Sequence, residues 1–173
     1  MSKIEEYSRL SPLGIAKNAE IFVACASYEE RCQASILSTT QDYSLSSALI
    51  MCSREHATVG RTNEFLANMI QKVQALSGRK IEPFLFNLDN PIAFDGALRS
   101  LVQNLLSHKQ SQQITIDITT FPRQQLFLTL KQLRMLVPSG ALRILYTEPK
   151  TYSTEKEGGW SLCANISETL PTQ

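Results

Sequence analysis

Residues 113–146 constrain the fold more tightly than any other stretch of the chain. Ile114, Ile116 and Ile118 alternate with Thr115, Asp117 and Thr119, a β-branched run suited to a pleated strand. Pro122 is tolerated in a first helical turn, where its missing N–H would go unpaired, and Thr120 is placed to cap that turn. Leu126, Leu130, Leu133 and Val137 then recur at helical spacing, and Pro138-Ser139-Gly140 ends the stripe. Ala141–Tyr146 reads as the next strand. Strand, helix and strand in succession make a β-α-β unit with parallel strands. A carboxylate inside such a strand, here Asp117, must be hydrogen-bonded, paired with a cation or held neutral.

The same alternation runs through the rest of the chain. Ala19–Ala26 is an almost continuous apolar run, as a central strand covered on both faces requires. Ser27 and Glu30 have capping-box spacing, which predicts a helix that turns Cys32, Ile36 and Leu37 inward. Ser47–Cys52 is a second strand. A helix with Phe65, Met69, Val73 and Leu76 on one face follows, closed by Gly78. Ile81–Leu88 is a third strand, which Pro83 assigns to a sheet edge. Asn90 as cap and Pro91 as first residue start a helix with Phe94, Leu98, Leu101 and Leu105 buried.

Five strands alternating with four helices predict a doubly wound α/β fold, Rossmann-like or flavodoxin-like. Its sheet is five-stranded and mostly parallel, with helices on both faces. Right-handed crossovers favour the strand order 3-2-1-4-5, with 2-1-3-4-5 as the alternative, and strand 1 is central in both. At 173 residues the chain is expected to form one domain. Residues 1–19 are an N-terminal extension and 153–173 a C-terminal tail, in which Trp160–Ile166 is a last strand or a docked tail.

Composition disfavours several function classes, a nucleic-acid role among them, without excluding that role. Seventeen Lys and Arg against sixteen Asp and Glu leave no field directed at nucleic acid or an acidic membrane. No apolar run approaches the roughly 20 residues of a spanning helix, and the N-terminus lacks a secretory pattern. The four cysteines lie far apart, without zinc spacing or a disulfide framework, so reduced thiols in a cytoplasmic protein are expected.

In open α/β sheets ligands bind beyond the carboxyl ends of the strands. Those ends are rich in reactive groups here: Tyr28, Glu29, Glu30 and Arg31 after strand 1; Arg54, Glu55 and His56 after strand 2; Asp89 and Asn90 after strand 3. Thr119, Thr120 and Arg123 follow strand 4, and Tyr146, Glu148 and Tyr152 follow strand 5. The opposite edge is blander, with Glu20, Ser47, Arg79-Lys80 and Gln112-Gln113. Loops and helix starts are polar in any protein, so the asymmetry has a purely structural alternative.

Asp117 with Arg31, Arg54 or Arg123 is either a structural ion pair or a device that aims an arginine at an anion such as a phosphate. Glu29 is the carboxylate left over by the capping box. It would bind ribose hydroxyls or act as a general base, or else favour a helix dipole. His56 is the histidine placed for acid–base work, whereas His108, near Lys109 at a helix end, suits a C-terminal dipole.

The expected ligand is a nucleotide or similar phosphorylated metabolite. Arg31 and Arg123 would hold its anionic part, with Asp117 and Thr120 beside them and Tyr28 or Tyr146 stacked on a base. Glu29 or Glu148 would be the base in hydrolysis or transfer at a ribosyl or phosphoryl bond. The competing expectation is a non-catalytic module whose polar rim meets a partner protein. No metal is expected, and no particular cofactor is implied. Cys25 and Arg31 have the spacing of a cysteine-phosphatase cradle, but Glu29 and Glu30 would put two negative charges in that cup. A glycine-rich dinucleotide turn and a Walker loop are both missing from the sequence.

Three segments, Ser27-Tyr28-Glu29-Glu30-Arg31, Asp117-Ile118-Thr119-Thr120-Phe121-Pro122-Arg123 and Tyr146-Thr147-Glu148-Pro149-Lys150-Thr151-Tyr152, together resemble a family of uncharacterised prokaryotic α/β proteins. The resemblance spans about residues 20–152 and implies a Rossmann-like fold but no particular activity. Strand 1 with its Ser-Tyr-Glu-Glu also resembles the opening of Toll/interleukin-receptor-type domains, which can cleave nicotinamide dinucleotides. Their catalytic glutamate motif has no clear counterpart in this sequence, so that likeness is one of architecture.

Overall fold

The computed structural model describes residues 20–40, 42–106, 113–137 and 142–148. Five strands, β1 (Glu20–Cys25), β2 (Ser47–Ser53), β3 (Phe84–Phe86), β4 (Gln113–Asp117) and β5 (Leu142–Leu145), form one sheet in the order β3-β2-β1-β4-β5. Every neighbouring pair is parallel. The fold is therefore the doubly wound α/β architecture, in the favoured strand order. The 1–19 extension, His108, the Pro138-Ser139-Gly140 stop, and the tail with Tyr152 and Trp160–Ile166 lie outside the described residues.

The helices are α1 (Ala34–Leu37), α2 (Arg54–Ala57), α3 (Gly60–Ser77), α4 (Pro91–Leu106) and α5 (Arg123–Leu136). Side chains alternate across a strand, so β1 feeds two cores. Phe22 and Ala24 pack with Ile36, Ile50, Met69 and Val73 on the α1–α3 face. Ile21 and Val23 pack with Met51, Phe94, Leu98 and Ile116 on the α4–α5 face. Each large apolar side chain buried this way contributes about 1.5–3 kcal/mol, which is why an unbroken apolar run takes the middle of the sheet. The chain winds outward from β1 through β2 to β3, then returns to the far side of β1 for β4 and β5. Right-handed crossovers running in opposite directions lay their helices on opposite faces.

Several local signals act as the sequence predicts. Gly78 ends α3 in the left-handed region at φ 65°, its N–H bonded to the Gln74 carbonyl. Asn90 caps α4, with Oδ1 accepting the Ala93 N–H at 3.0 Å. β3 is a short edge strand, consistent with Pro83.

Three details differ. The Ser27–Glu30 capping box does not form. Instead Ser27 Oγ accepts the Glu29 N–H at 3.4 Å, and a 3₁₀ turn over Glu30–Gln33 precedes the single-turn α1. Cys32 and Ile36 are buried as expected, but Leu37 is exposed because α1 stops there. At α5, Pro122 is the extended residue before the helix, and the Thr120 hydroxyl bonds elsewhere. Finally, α5 buries Gln125, Thr129, Gln132 and Leu133, whereas Leu126, Leu130 and Val137 are half-buried. Polar partners beside α5 explain the shift. Gln132 Nε2 donates to Asp95 Oδ1 of α4 at 2.7 Å, and Gln125 Nε2 donates to the Leu88 carbonyl at 3.3 Å.

At the amino end of the sheet, Glu20 Oε1 accepts Arg143 Nη2 at 2.5 Å and the Thr115 hydroxyl, fastening β1, β4 and β5 together. No helix among the described residues is long and apolar enough to cross a membrane.

Candidate functional site

The winding direction reverses between β1 and β4. The chain leaves β1 toward one face and leaves β4 toward the other, so the topological switch point, where sheets of this kind form their ligand crevice, lies between their carboxyl ends. The loop after β5 borders the same crevice, because β5 is the neighbour of β4.

Hydrogen bonds join these three loops. The Thr120 hydroxyl donates to the Cys25 carbonyl at 2.7 Å, closing the β4 loop onto the end of β1. The Thr147 N–H donates to Thr119 Oγ1 at 2.9 Å, and the Thr147 carbonyl accepts Arg31 Nη1 at 2.8 Å. Thr147 thus links the loops after β4 and β1 through its own backbone.

Asp117 anchors the layer beneath. It is 2% exposed and accepts bonds from the Ser35 hydroxyl, the Thr119 hydroxyl and, at 3.0 Å, the Thr119 N–H. Of the three ways to accommodate a strand carboxylate, the chain uses hydrogen bonding, with hydroxyls and an amide in place of an arginine. The Asp117–Thr119 bond is an Asx turn, the local motif in which the side chain accepts a backbone N–H two residues on.

Arg31 is equally committed. Its Nε and Nη2 donate to Glu29 Oε2 at 3.0 and 2.5 Å, and Tyr146 interacts with the same guanidinium. The Glu29 hydrogen bond is the main cause that raises the Arg31 pKa. Arg31 therefore acts first as a strut between the loops after β1 and β5, its charge matched by Glu29. For Glu29, an oxygen given to Arg31 is one not offered to a substrate proton.

Of the predicted site residues, Glu29, Arg31, Asp117, Thr120 and Tyr146 belong to this bonded layer. Tyr28 and Glu148 stand exposed on the loops after β1 and β5, and Arg123 stands exposed at the start of α5, where the loop after β4 ends. Tyr28 is 68% exposed and Tyr146 is 55% exposed. Arg123 and Glu148 make no hydrogen bond or ion pair among the described residues. His56 is exposed at the tip of β2, two strands from β4.

Sequence reading missed Ser35 and Thr147 as site residues. The Asp-x-Thr spacing was a usable signal for Thr119. Thr147 acts through its main chain and Ser35 through a short helix, and neither role leaves a mark in the sequence.

Nucleophilic cysteine chemistry is disfavoured. Burial, followed by the neighbouring Cys52 and Cys32, pushes the Cys25 thiol well above its ordinary value. Burial also pushes Cys32 up to about 11. Among the described residues, no group of three His, Cys, Asp or Glu side chains is arranged to hold a metal ion. No protein-family model matches the chain, and no curated protein matches it.

Proposed function

We propose that the protein binds a nucleotide or similar phosphorylated metabolite over the loops that follow β1, β4 and β5. The observation that carries this reading is the division of labour at the crevice. Glu29, Arg31, Asp117, Thr120 and Thr147 are bonded to one another or to the neighbouring loops, whereas Arg123 and Glu148 have no bonding partner among the described residues. A rim held rigid by its lower layer loses little freedom when a ligand arrives, so the exposed groups can bind without reordering the loops.

In this reading Arg123 engages the phosphate, and Tyr28 or Tyr146 stacks on the base. Glu148 is the freer carboxylate for ribose hydroxyls or for proton transfer in hydrolysis or group transfer. The three motifs behind the resemblance to the prokaryotic α/β family supply Tyr28, Arg123 and Glu148 alike, which supports treating them as one site.

Calorimetric titration with AMP tests the proposal. Saturable binding is expected in the wild type, weakened about tenfold in Arg123→Ala by loss of a charge-assisted bond. Equal heats in both proteins would contradict it. The second reading is a docking surface for a partner protein, favoured by the exposure of Tyr28, Tyr146 and Ile144. On that reading AMP gives no saturable heat.

A further inference from the structure

A second concavity lies apart from the β1–β4 crevice, at the β3 edge of the sheet. It has a volume of about 210 Å³ and is bounded by β3, the first turns of α4 and Arg54. We propose that it is a binding site for a small aromatic carboxylate of one ring.

Its apolar side is built from three phenylalanines that hold one another in place. Phe84 stacks on Phe94 with ring centroids 5.7 Å apart, and Phe86 meets Phe94 edge-on at 5.0 Å. Phe86 and Phe94 are buried while Phe84 is half-buried, so the cluster is rigid yet offers aromatic surface to a ligand. Ala93 and Ala97, one helical turn apart on α4, line the same concavity. Small residues at both positions leave room for a flat ring against the helix.

The polar side offers donors. Arg54 is exposed and makes no hydrogen bond or ion pair among the described residues. Asn90 already spends Oδ1 on the Ala93 N–H, which leaves its NH₂ group as the free end. A ligand that satisfies both must bring acceptor oxygens. A carboxylate fits the planar guanidinium fork in bidentate fashion and carries the single negative charge that one arginine can balance. A phosphate dianion would be half-compensated, because Arg54 is the one cation bordering the pocket among the described residues. The volume falls below the roughly 300–1,000 Å³ of drug-sized sites, which limits the ligand to a single ring.

Benzoate is the probe, with ¹H–¹⁵N NMR of the full chain as the readout. Saturable shifts are expected at Phe84–Phe86 and Ala93–Ala97, with a dissociation constant on the order of 1 mM for so small a ligand. Arg54→Gln should weaken binding about tenfold. Ala97→Leu fills the groove from an exposed helix position where leucine suits the helix, so it should abolish binding while the spectrum stays folded. Arg123→Ala should leave benzoate binding unchanged, which separates this site from the nucleotide rim. Absence of saturable shifts, benzylamine binding as tightly as benzoate, or full binding in Ala97→Leu would overturn the proposal.

Discussion

At the scale of single residues, Asp117 decides whether the crevice holds together. Removing its carboxylate leaves two hydroxyls and an amide without their acceptor in a part-buried setting. Asp117→Ala should therefore lower the unfolding free energy by about 2–4 kcal/mol. Asp117→Asn keeps an acceptor for Thr119, and the Ser35 hydroxyl can rotate to accept from the new NH₂, so it should cost only about 1 kcal/mol. Urea unfolding of the two variants measures the difference. Equal losses would mean that the charge, and not the bonding geometry, is what the site requires. The sequence demanded a partner for this carboxylate but could not say which. Arginines were the obvious candidates because charge is visible in a sequence, whereas Ser35 becomes a neighbour only once the chain after β1 folds across the end of β4.

At the scale of elements, α5 shows how a helix with a correctly read apolar stripe can still bury a polar edge that its periodicity does not announce. The leucine stripe at 126, 130 and 133 does face the core, with Leu133 fully buried and Leu126 and Leu130 half-buried against it, yet Gln125, Thr129 and Gln132 are buried more deeply than either of the half-buried leucines. These side chains are satisfied by one another and by neighbouring groups. Thr129 Oγ1 donates to the Gln125 carbonyl at 2.7 Å, and Gln132 reaches Asp95. Periodicity gives the existence of a helix; which sector is buried depends on the partner helix, and no pattern within α5 encodes Asp95. Asp95→Ala leaves a buried carboxamide donor unpaired and should cost about 1–3 kcal/mol. Combining it with Gln132→Leu should recover much of that loss, because both polar ends are then gone. Thermal unfolding of the single and double variants gives the coupling, and strict additivity would show that the bond stabilises nothing.

At the scale of the whole molecule, the central place of β1 and the two-sided core were legible from its continuous apolar run, which needs cover on both faces. The strand order needed the whole β-α alternation, which narrowed it to two possibilities, of which the favoured one is observed. The same burial encloses three thiols, Cys25, Cys32 and Cys52. Burial raises Cys32 and Cys52 to about 11, whereas an unfolded thiol titrates near 8.5. The folded state then holds protons that the unfolded state has released. Stability is full below about pH 8.5 and falls as pH rises toward 11, by about 1.4 kcal/mol per pH unit for each such thiol. Cys52→Ala should be less stable at neutral pH but show a shallower alkaline decline in chemical denaturation. An unchanged slope would place the alkaline sensitivity elsewhere.

The proposed nucleotide site lies at the direction reversal between β1 and β4, and whether the three loops there act as one rim can be read directly. Amide-resolved NMR during titration with AMP is the most direct test. The shifts are expected to fall together on residues 28–31, 119–123 and 146–148, to saturate along a single isotherm, and to shrink at every one of those positions in Arg123→Ala. Shifts confined to one loop, or scattered over the helices and indifferent to Arg123, would contradict a shared nucleotide site.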